Sequence, residues 1–312
     1  MSKAKLKTSK KNRIKVSDDL SDKFMMAIVY IIFGAFAFIC IYPFYYIFIN
    51  TISSNELSAN GEILFYPVGI HFQNYVNVFK ISGLWNATFI SLSRTLLGTG
   101  LTVFASAFLG FMFTQEDMWK RKFWYRFTLI TMYFNAGIIP WYLTMRTLGL
   151  TNNFLAYILP WIVSPFFIIL VKTFVESTPR ELQQAAEIDG AGFLKFFFII
   201  MLPLIQPILA TVAIFSAVNQ WNSFQDTLLL VTETKLNTLQ FVLYQYINQA
   251  NSLATLLNNQ NSSMALASLA KRQTTVSVRM TVTIIVVLPI IMVYPFFQRF
   301  FIKGIMIGAV KG

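Results

Sequence analysis

Thr178-Pro179-Arg180-Glu181-Leu182-Gln183-Gln184-Ala185-Ala186-Glu187-Ile188-Asp189-Gly190-Ala191-Gly192 is a polar, charged stretch set between two long apolar runs. Thr178 with Glu181 three residues on has the spacing of a capping box, and Pro179 suits the first helical position, where a missing N–H is no loss. Gly190 supplies the left-handed residue that closes a helix. The stretch thus predicts a short, separate helix over 178–190, about three turns long. A helix this short is not stable alone in water and has to be held by packing. Ala185 and Ala186 present little side chain, Leu182 and Ile188 offer apolar knobs, and Glu187 and Asp189 carry charge. Two arrangements satisfy that pattern: insertion into a groove of a partner, or an elbow packed under the chain's own apolar helices.

The surroundings of this stretch set the solvent. Of 312 residues, 56% are hydrophobic and 12% charged, against about 45–50% apolar and about 25% charged in soluble domains. That balance excludes water-soluble, disordered and collagen-like chains, and leaves lipid as the solvent. A bilayer-spanning helix needs about 20 mostly apolar residues. Six runs meet this, over about 24–49, 85–113, 123–143, 154–175, 196–218 and 278–302. The expected fold is therefore all-α, with six transmembrane helices over 24–302, a basic tail over 1–23 and a short tail over 303–312. The first run is too long for a signal-peptide core and lacks a small-residue cleavage site, so it is expected to be retained.

Charge orients the spans, because cytoplasmic segments keep Lys and Arg. Seven basic residues fall within the first fifteen positions. With the N-terminus inside, the inside segments hold eighteen Lys and Arg and the outside segments five, leaving Arg94 and Arg279 within or near spans. Both termini and the 178–190 helix are thus expected in the cytoplasm of a multi-pass cell-membrane protein. The net charge of +12 is too concentrated at one end for a nucleic-acid groove, and suits anionic lipid. Two long outer loops, 51–83 and 221–277, serve either as docking surfaces or as connections. Cys40 and His71 each stand alone, so no disulfide framework or metal ligand set is expected.

Arg94 and Asp226 are ionisable groups in or beside spans, which makes them candidates for facing a cavity or a partner. Asn135, Asn219, Gln220, Trp221 and Asn222 combine amides with an aromatic face, the chemistry that holds a sugar along a pathway. The same residues also suit interhelical hydrogen bonding and an interfacial anchor. Pro203 and Pro207 are expected to kink the fifth helix, and Gly98, Ala105, Ala107 and Gly110 to mark close helix packing.

Gln184-Ala185-Ala186-Glu187-Ile188-Asp189-Gly190-Ala191, followed by Phe198, Leu202-Pro203 and Pro207, resembles the EAA motif of the membrane subunits of ABC importers. The likeness covers nearly the whole chain beyond the basic tail. It points to the MalG-like class of carbohydrate permeases and, within it, to the LplC/YtcP-type group. The residues that carry it are Gly137 to Pro140, Leu148-Gly149-Leu150, Leu159-Pro160, Gln220-Trp221-Asn222, Leu239-Gln240 and the terminal Gly308-Ala309-Val310-Lys311-Gly312.

The resemblance implies a type I importer permease fold that moves a sugar, an oligosaccharide or a polysaccharide fragment, into the cytoplasm. It implies that 178–190 is a coupling helix seated in a cleft of an ATPase subunit, through Glu181, Gln184, Ala185, Ala186, Glu187, Asp189, Gly190 and Ala191. It implies partners as well: two ATP-binding-cassette ATPases, a second permease subunit forming a heterodimer, and an extracytoplasmic solute-binding protein. Gln184 stands where the family usually has Glu and cannot form an ion pair, so Glu181 or Glu187, a turn or less away, would supply the charge. Gly308, Val310, Lys311 and Gly312 would reach toward the ATPases, unless the tail is simply a frayed end. The chain has no G-x-x-x-x-G-K-[ST] phosphate loop, so ATP and Mg belong to the partner chains and no cofactor is expected here. An embedded enzyme would need clustered titratable residues that the spans lack. A permease for another solute, or a receptor using the same helix, are the remaining alternatives.

Overall fold

The computed structural model describes residues 20–258, 275–293 and 295, and every regular element among them is helical. The expected contacts of Gly308, Val310, Lys311 and Gly312, and most of the basic tail, lie outside the described residues. The chain divides into two compact units, one ending at Tyr46 and the other starting at Ile47. The first unit is most of α1 (Leu20–Thr51), apolar on every face as a lipid-immersed helix is, with Pro43 inside it.

The second unit begins with the last turn of α1 and the short helices α2 (Asn55–Asn60) and α3 (Gln73–Phe79). Buried amides and hydroxyls tie these together. Asn74 Nδ2 donates to the Thr51 carbonyl and to Asn55 Oδ1, each at 2.9 Å, and Asn50 Nδ2 donates to the Ile63 carbonyl at 3.2 Å. The first loop is therefore a folded cap, with its backbone carbonyls satisfied by side chains.

α4 (Leu84–Met112) is the central element, packed against α7 (Pro165–Glu176), α11 (Gln206–Asn222) and α13 (Leu239–Asn258). Its small residues permit that. A Cβ at Gly110 would lie 2.8 Å from Val171 Cβ and 3.1 Å from the Lys172 backbone nitrogen, so α4 and α7 meet at a separation that only glycine allows. Phe111, Phe197, Val171 and Ile205 fill the core around this contact. Outward-facing side chains such as Leu96 and Phe89 are exposed, as lipid-facing residues are.

Three helices are long and apolar enough to cross a membrane, Lys23–Thr51, Leu84–Met112 and Thr275–Val293, and two bent pairs are comparable. In the first pair, Phe154–Trp161 and Pro165–Glu176, the bend is 44°. In the second, Phe193–Leu204 and Gln206–Asn222, it is 77°. The second pair comprises α9 (Phe193–Lys195), a π-helical turn over Phe196–Met201, α10 (Leu202–Leu204) and then α11. Pro203 and Pro207 each remove a donor, and the π turn, in which the Leu202 N–H donates to the Phe197 carbonyl, feeds directly into the break at Ile205.

The expected uninterrupted span over 123–143 is instead two helices, α5 (Arg121–Tyr133) and α6 (Ile138–Thr147). Pro140 has no N–H for the Ala136 carbonyl, so α5 cannot run on through it. Gly137 adopts φ +88° and Asn135 Oδ1 accepts the Gly137 N–H at 2.9 Å, forming a local turn at the break.

Candidate functional site

One face of α4 carries Arg94, Gly98 and Thr102 at helical spacing, and Arg94 and Thr102 open onto a cleft of about 690 Å³. α11 supplies Asn219, Gln220 and Asn222 to the same cleft, and Trp161, Phe166 and Phe224 supply rings. Arg94 is 1% exposed. Its Nη2 donates to Asp226 Oδ2 at 2.7 Å and to Gln220 Oε1 at 3.0 Å, its Nε donates to the same Oε1 at 3.1 Å, and its Nη1 donates to the Ser223 carbonyl at 3.3 Å. The guanidinium also lies 4.6 Å from the centroid of the Tyr157 ring.

Asp226 sits in the first turn of α12 (Gln225–Leu230), where the helix dipole favours an anion, and accepts a further bond from Ser223 Oγ at 2.9 Å. The Tyr157 hydroxyl donates to the Leu236 carbonyl at 2.7 Å and accepts from Thr227 Oγ1 at 3.2 Å. A buried ion pair therefore joins α4, the 3₁₀ turn at Tyr157, the end of α11 and α12, with its charges compensated on every side.

The structure brings three of the five expected pathway residues to the cleft. Asn219 and Asn222 are exposed on it, and Gln220 lines it while bonded to Arg94. Trp221 faces the opposite way: its indole N–H donates to the Val286 carbonyl at 2.9 Å and its ring packs with Leu84, Leu239 and Val282. It is core, and offers no stacking face, because consecutive helical residues point about 100° apart. Asn135 is spent on the turn before α6. Nothing local in the sequence pairs Arg94 with Asp226; the available signal is that both are ionisable groups in an apolar setting.

The second candidate surface lies beyond the other end of α4, roughly 27 Å from Arg94 at 1.5 Å per residue. α8 spans Glu181–Ile188, two turns rather than three, and no side chain caps its start. Thr178 does not form the expected capping box: its Oγ1 donates back to the Val175 carbonyl at 2.6 Å, adding to the bond at 3.0 Å that the Thr178 N–H gives the same carbonyl at the end of α7. Gly190 has φ +73°, the Ala191 N–H donates to the Ala186 carbonyl at 2.9 Å and the Gly190 N–H to the Glu187 carbonyl at 3.0 Å, which together form a Schellman end.

Ala186 is buried against the core that holds Phe196 and Phe197, and Ala191 packs beside it, so Ala186 anchors α8 to its own chain and is not presented to a partner. Glu181, Gln184, Ala185, Glu187, Asp189 and Gly190 are exposed, as are Leu182 and, at 86%, Ile188. Arg180 bridges to Glu116 at 3.2 Å and Gln183 Nε2 donates to Gln115 Oε1 at 3.0 Å, tying α8 to the segment after α4.

An all-helical membrane bundle with a cleft of about 690 Å³ lined by aromatic rings and amides, and an anchored, outward-facing short helix beyond the end of α4, defines a polytopic transport subunit. No protein-family model matches the chain. Protein LplC of Bacillus subtilis is 32% identical over 279 residues, 89% of this chain and 92% of that protein. The arabinooligosaccharides transport system permease protein AraQ of Halalkalibacterium halodurans is 30% identical over 291 residues, 90% of this chain and 94% of that one. The polygalacturonan/rhamnogalacturonan transport system permease protein YtcP of Bacillus subtilis is 29% identical over 277 residues, 89% and 94% of the two chains. A chain from the crystal structure of a bacterial ABC transporter involved in the import of the acidic polysaccharide alginate superposes with a TM-score of 0.77 at 26% identity, over 91% of this chain and 98% of that one. The chain belongs to the sugar permeases of ABC transporters.

Proposed function

We propose that the chain forms one half of the translocation pathway of an ATP-driven importer that brings an oligosaccharide or polysaccharide fragment into the cytoplasm, and that α8 is its coupling helix. The observation that carries this is the arrangement of α8. Ala186 and Ala191 fix it to the core beneath, while Gln184, Glu187, Ile188 and Asp189 face outward on a helix too short to be there for its own stability. A partner groove that grips α8 therefore pushes on the bundle through a packed joint. ATP and Mg are held by two partner ATPases, a second permease completes the pathway, and an external binding protein delivers the sugar. The tails and α8 lie on the cytoplasmic side, and α5 with α6 makes the third of six passes.

The test is a cysteine placed at Ile188, exposed and not part of the core, in a chain whose Cys40 is replaced by Ser. Crosslinking to the co-expressed ATPase subunit is expected, and the crosslinked complex is expected to lose ATP-driven uptake of labelled oligosaccharide. Full uptake with a quantitative crosslink, or no crosslink in an actively transporting complex, sinks the coupling assignment.

A further inference from the structure

α3 presents three different sides. At about 100° per residue, Asn74, Tyr75 and Val78 share one side, Gln73, Asn77 and Lys80 a second, and Phe72, Val76 and Phe79 a third that covers only about 60° of arc. The first side is fixed to the protein. Val78 is fully buried in one cluster with Leu84 and Ala87, Asn74 donates to the Thr51 carbonyl and to Asn55, and the Tyr75 hydroxyl lies 2.9 Å from Thr51 Oγ1. With these contacts in place α3 cannot roll about its axis, so the other two sides are held outward. The second side is exposed and polar, with Gln73 Nε2 donating to Asn77 Oδ1 at 3.0 Å. The third is exposed and wholly apolar. An apolar stripe beside a polar one, both facing away from the protein, is the pattern of a helix lying where lipid meets water.

The apolar stripe continues beyond α3. The Phe79 ring stacks on that of Trp85, with centroids 5.5 Å apart and planes 17° from parallel. Trp85 opens a second exposed stripe, in which Phe89, Leu92 and Leu96 follow at steps of four, three and four along α4, a helix long and apolar enough to cross a membrane. The exposed apolar surface is therefore continuous from α4 onto α3, at the point where α4 begins. Lys80 and Trp85 stand at this junction, and both are residue types that settle at the level of lipid headgroups. The lysine stem can lie along apolar surface while its ammonium reaches a phosphate.

We infer that α3 is an interfacial helix. Its Phe72, Val76 and Phe79 stripe lies in the acyl boundary of the leaflet in which α4 starts, and its Gln73, Asn77 and Lys80 side lies among headgroups and water. The partner of this surface is the bilayer, and the loop over 51–83 is pinned to it instead of standing clear as a docking surface for a protein. Lipid fits better than a protein groove on two grounds. The stripe runs unbroken into the outward face of a spanning helix, and a polar stripe flanks it along its whole length. The inference goes beyond the sugar permease reading and holds whichever solute is carried.

The experiment uses the assembled transporter in phosphatidylcholine nanodiscs, with Cys40 replaced by Ser and partner subunits free of cysteine. A bimane label is attached to Val76→Cys and, in a separate preparation, to Asn77→Cys, one exposed position on each stripe. Quenching by a phosphatidylcholine with a nitroxide near the top of its acyl chain is compared with quenching by aqueous iodide. At position 76 the lipid quencher is expected to act several-fold more strongly than iodide, and at position 77 the order is expected to reverse. Phe72→Cys, one turn earlier on the apolar stripe, is expected to follow position 76 and serves in its place should Val76→Cys fail to assemble. Iodide reaching position 76 as readily as position 77 puts the stripe in water and overturns the inference. Protection of position 76 from both quenchers, the sign of a protein seated on the stripe, overturns it too, as does shielding from iodide that appears only when the binding protein is added. Sugar uptake by the same complexes reports separately on the permease reading, which none of these outcomes touches.

Discussion

Breaking the ion pair between Arg94 and Asp226 gives the sharpest test of the fold. Arg94 lies ten residues into α4, about 15 Å from its start, on a helix long and apolar enough to cross a membrane. Removing one member of a buried pair costs about 3–5 kcal/mol, and an arginine at the centre of a membrane helix costs about 2.5–3.5 kcal/mol on an insertion scale. In Asp226→Ala, Arg94 keeps Gln220 Oε1, the Ser223 carbonyl and the Tyr157 face. The expected loss is therefore at the low end, about 3 kcal/mol, more than a hundredfold in the folding equilibrium. The double replacement Arg94→Met with Asp226→Leu removes both charges and restores apolar volume. Gln220, which lines the cleft, is then free to find water, so most of the loss is expected to return, to within about 1 kcal/mol of the parent. The assay is unfolding of the purified protein in mixed micelles by added SDS, followed by tryptophan fluorescence. A single replacement costing less than about 1 kcal/mol, or a double replacement as costly as the two singles summed, refutes the reasoning.

Three further outcomes follow from local geometry. Gly110→Leu drives a side chain into Val171 and the Lys172 backbone, which cannot yield as a flexible side chain would, and is expected to cost at least about 1–3 kcal/mol in the same unfolding assay. Gly190→Val meets no neighbour within 4 Å but must hold φ +73°, a backbone cost of about 1–2 kcal/mol; insertion at parental levels with loss of ATP-driven uptake is expected, and Gly190→Asn, which tolerates that conformation, is expected to retain uptake. Trp221→Phe loses the bond to the Val286 carbonyl and is expected to cost about 1 kcal/mol; equilibrium binding that shows a large loss of sugar affinity would place the indole in the pathway after all.

The readable parts of this protein were those that depend on one residue or one period. Gly190 announces its left-handed conformation, Pro203 and Pro207 announce the bend at Ile205, and apolar run length announces the long spans, because each is a local constraint on the backbone. Where two local readings compete, the sequence alone does not choose. Thr178 has the spacing to cap α8, yet its hydroxyl donates back to the Val175 carbonyl and finishes the end of α7 instead. Pro140 lies inside an apolar run that is long enough to span, and only its missing donor, with Asn135 ready to close a turn, divides the run in two. Orientation about a helix axis is equally hard to read when most neighbours are apolar. Ala186 turns into the core while Ala185 turns out, and Trp221 turns from the cleft that Gln220 and Asn222 line. The union of Arg94 with Asp226 depends on how α4, α11 and α12 pack, which no window of sequence contains.

That union also has a history in time. Its two members are 132 residues apart, and at a synthesis rate of about 5–20 residues per second the second emerges roughly 7–26 seconds after the first. Through that interval a nascent α4 holds an arginine with neither its carboxylate nor the Gln220 oxygen yet made. The chain must pass through a stage in which α4 carries an uncompensated charge and is poorly suited to lipid. That stage ends only once the segment carrying Asp226 has emerged and packed on α4, so the pair that secures the finished bundle also sets the moment at which the unfinished one becomes safe.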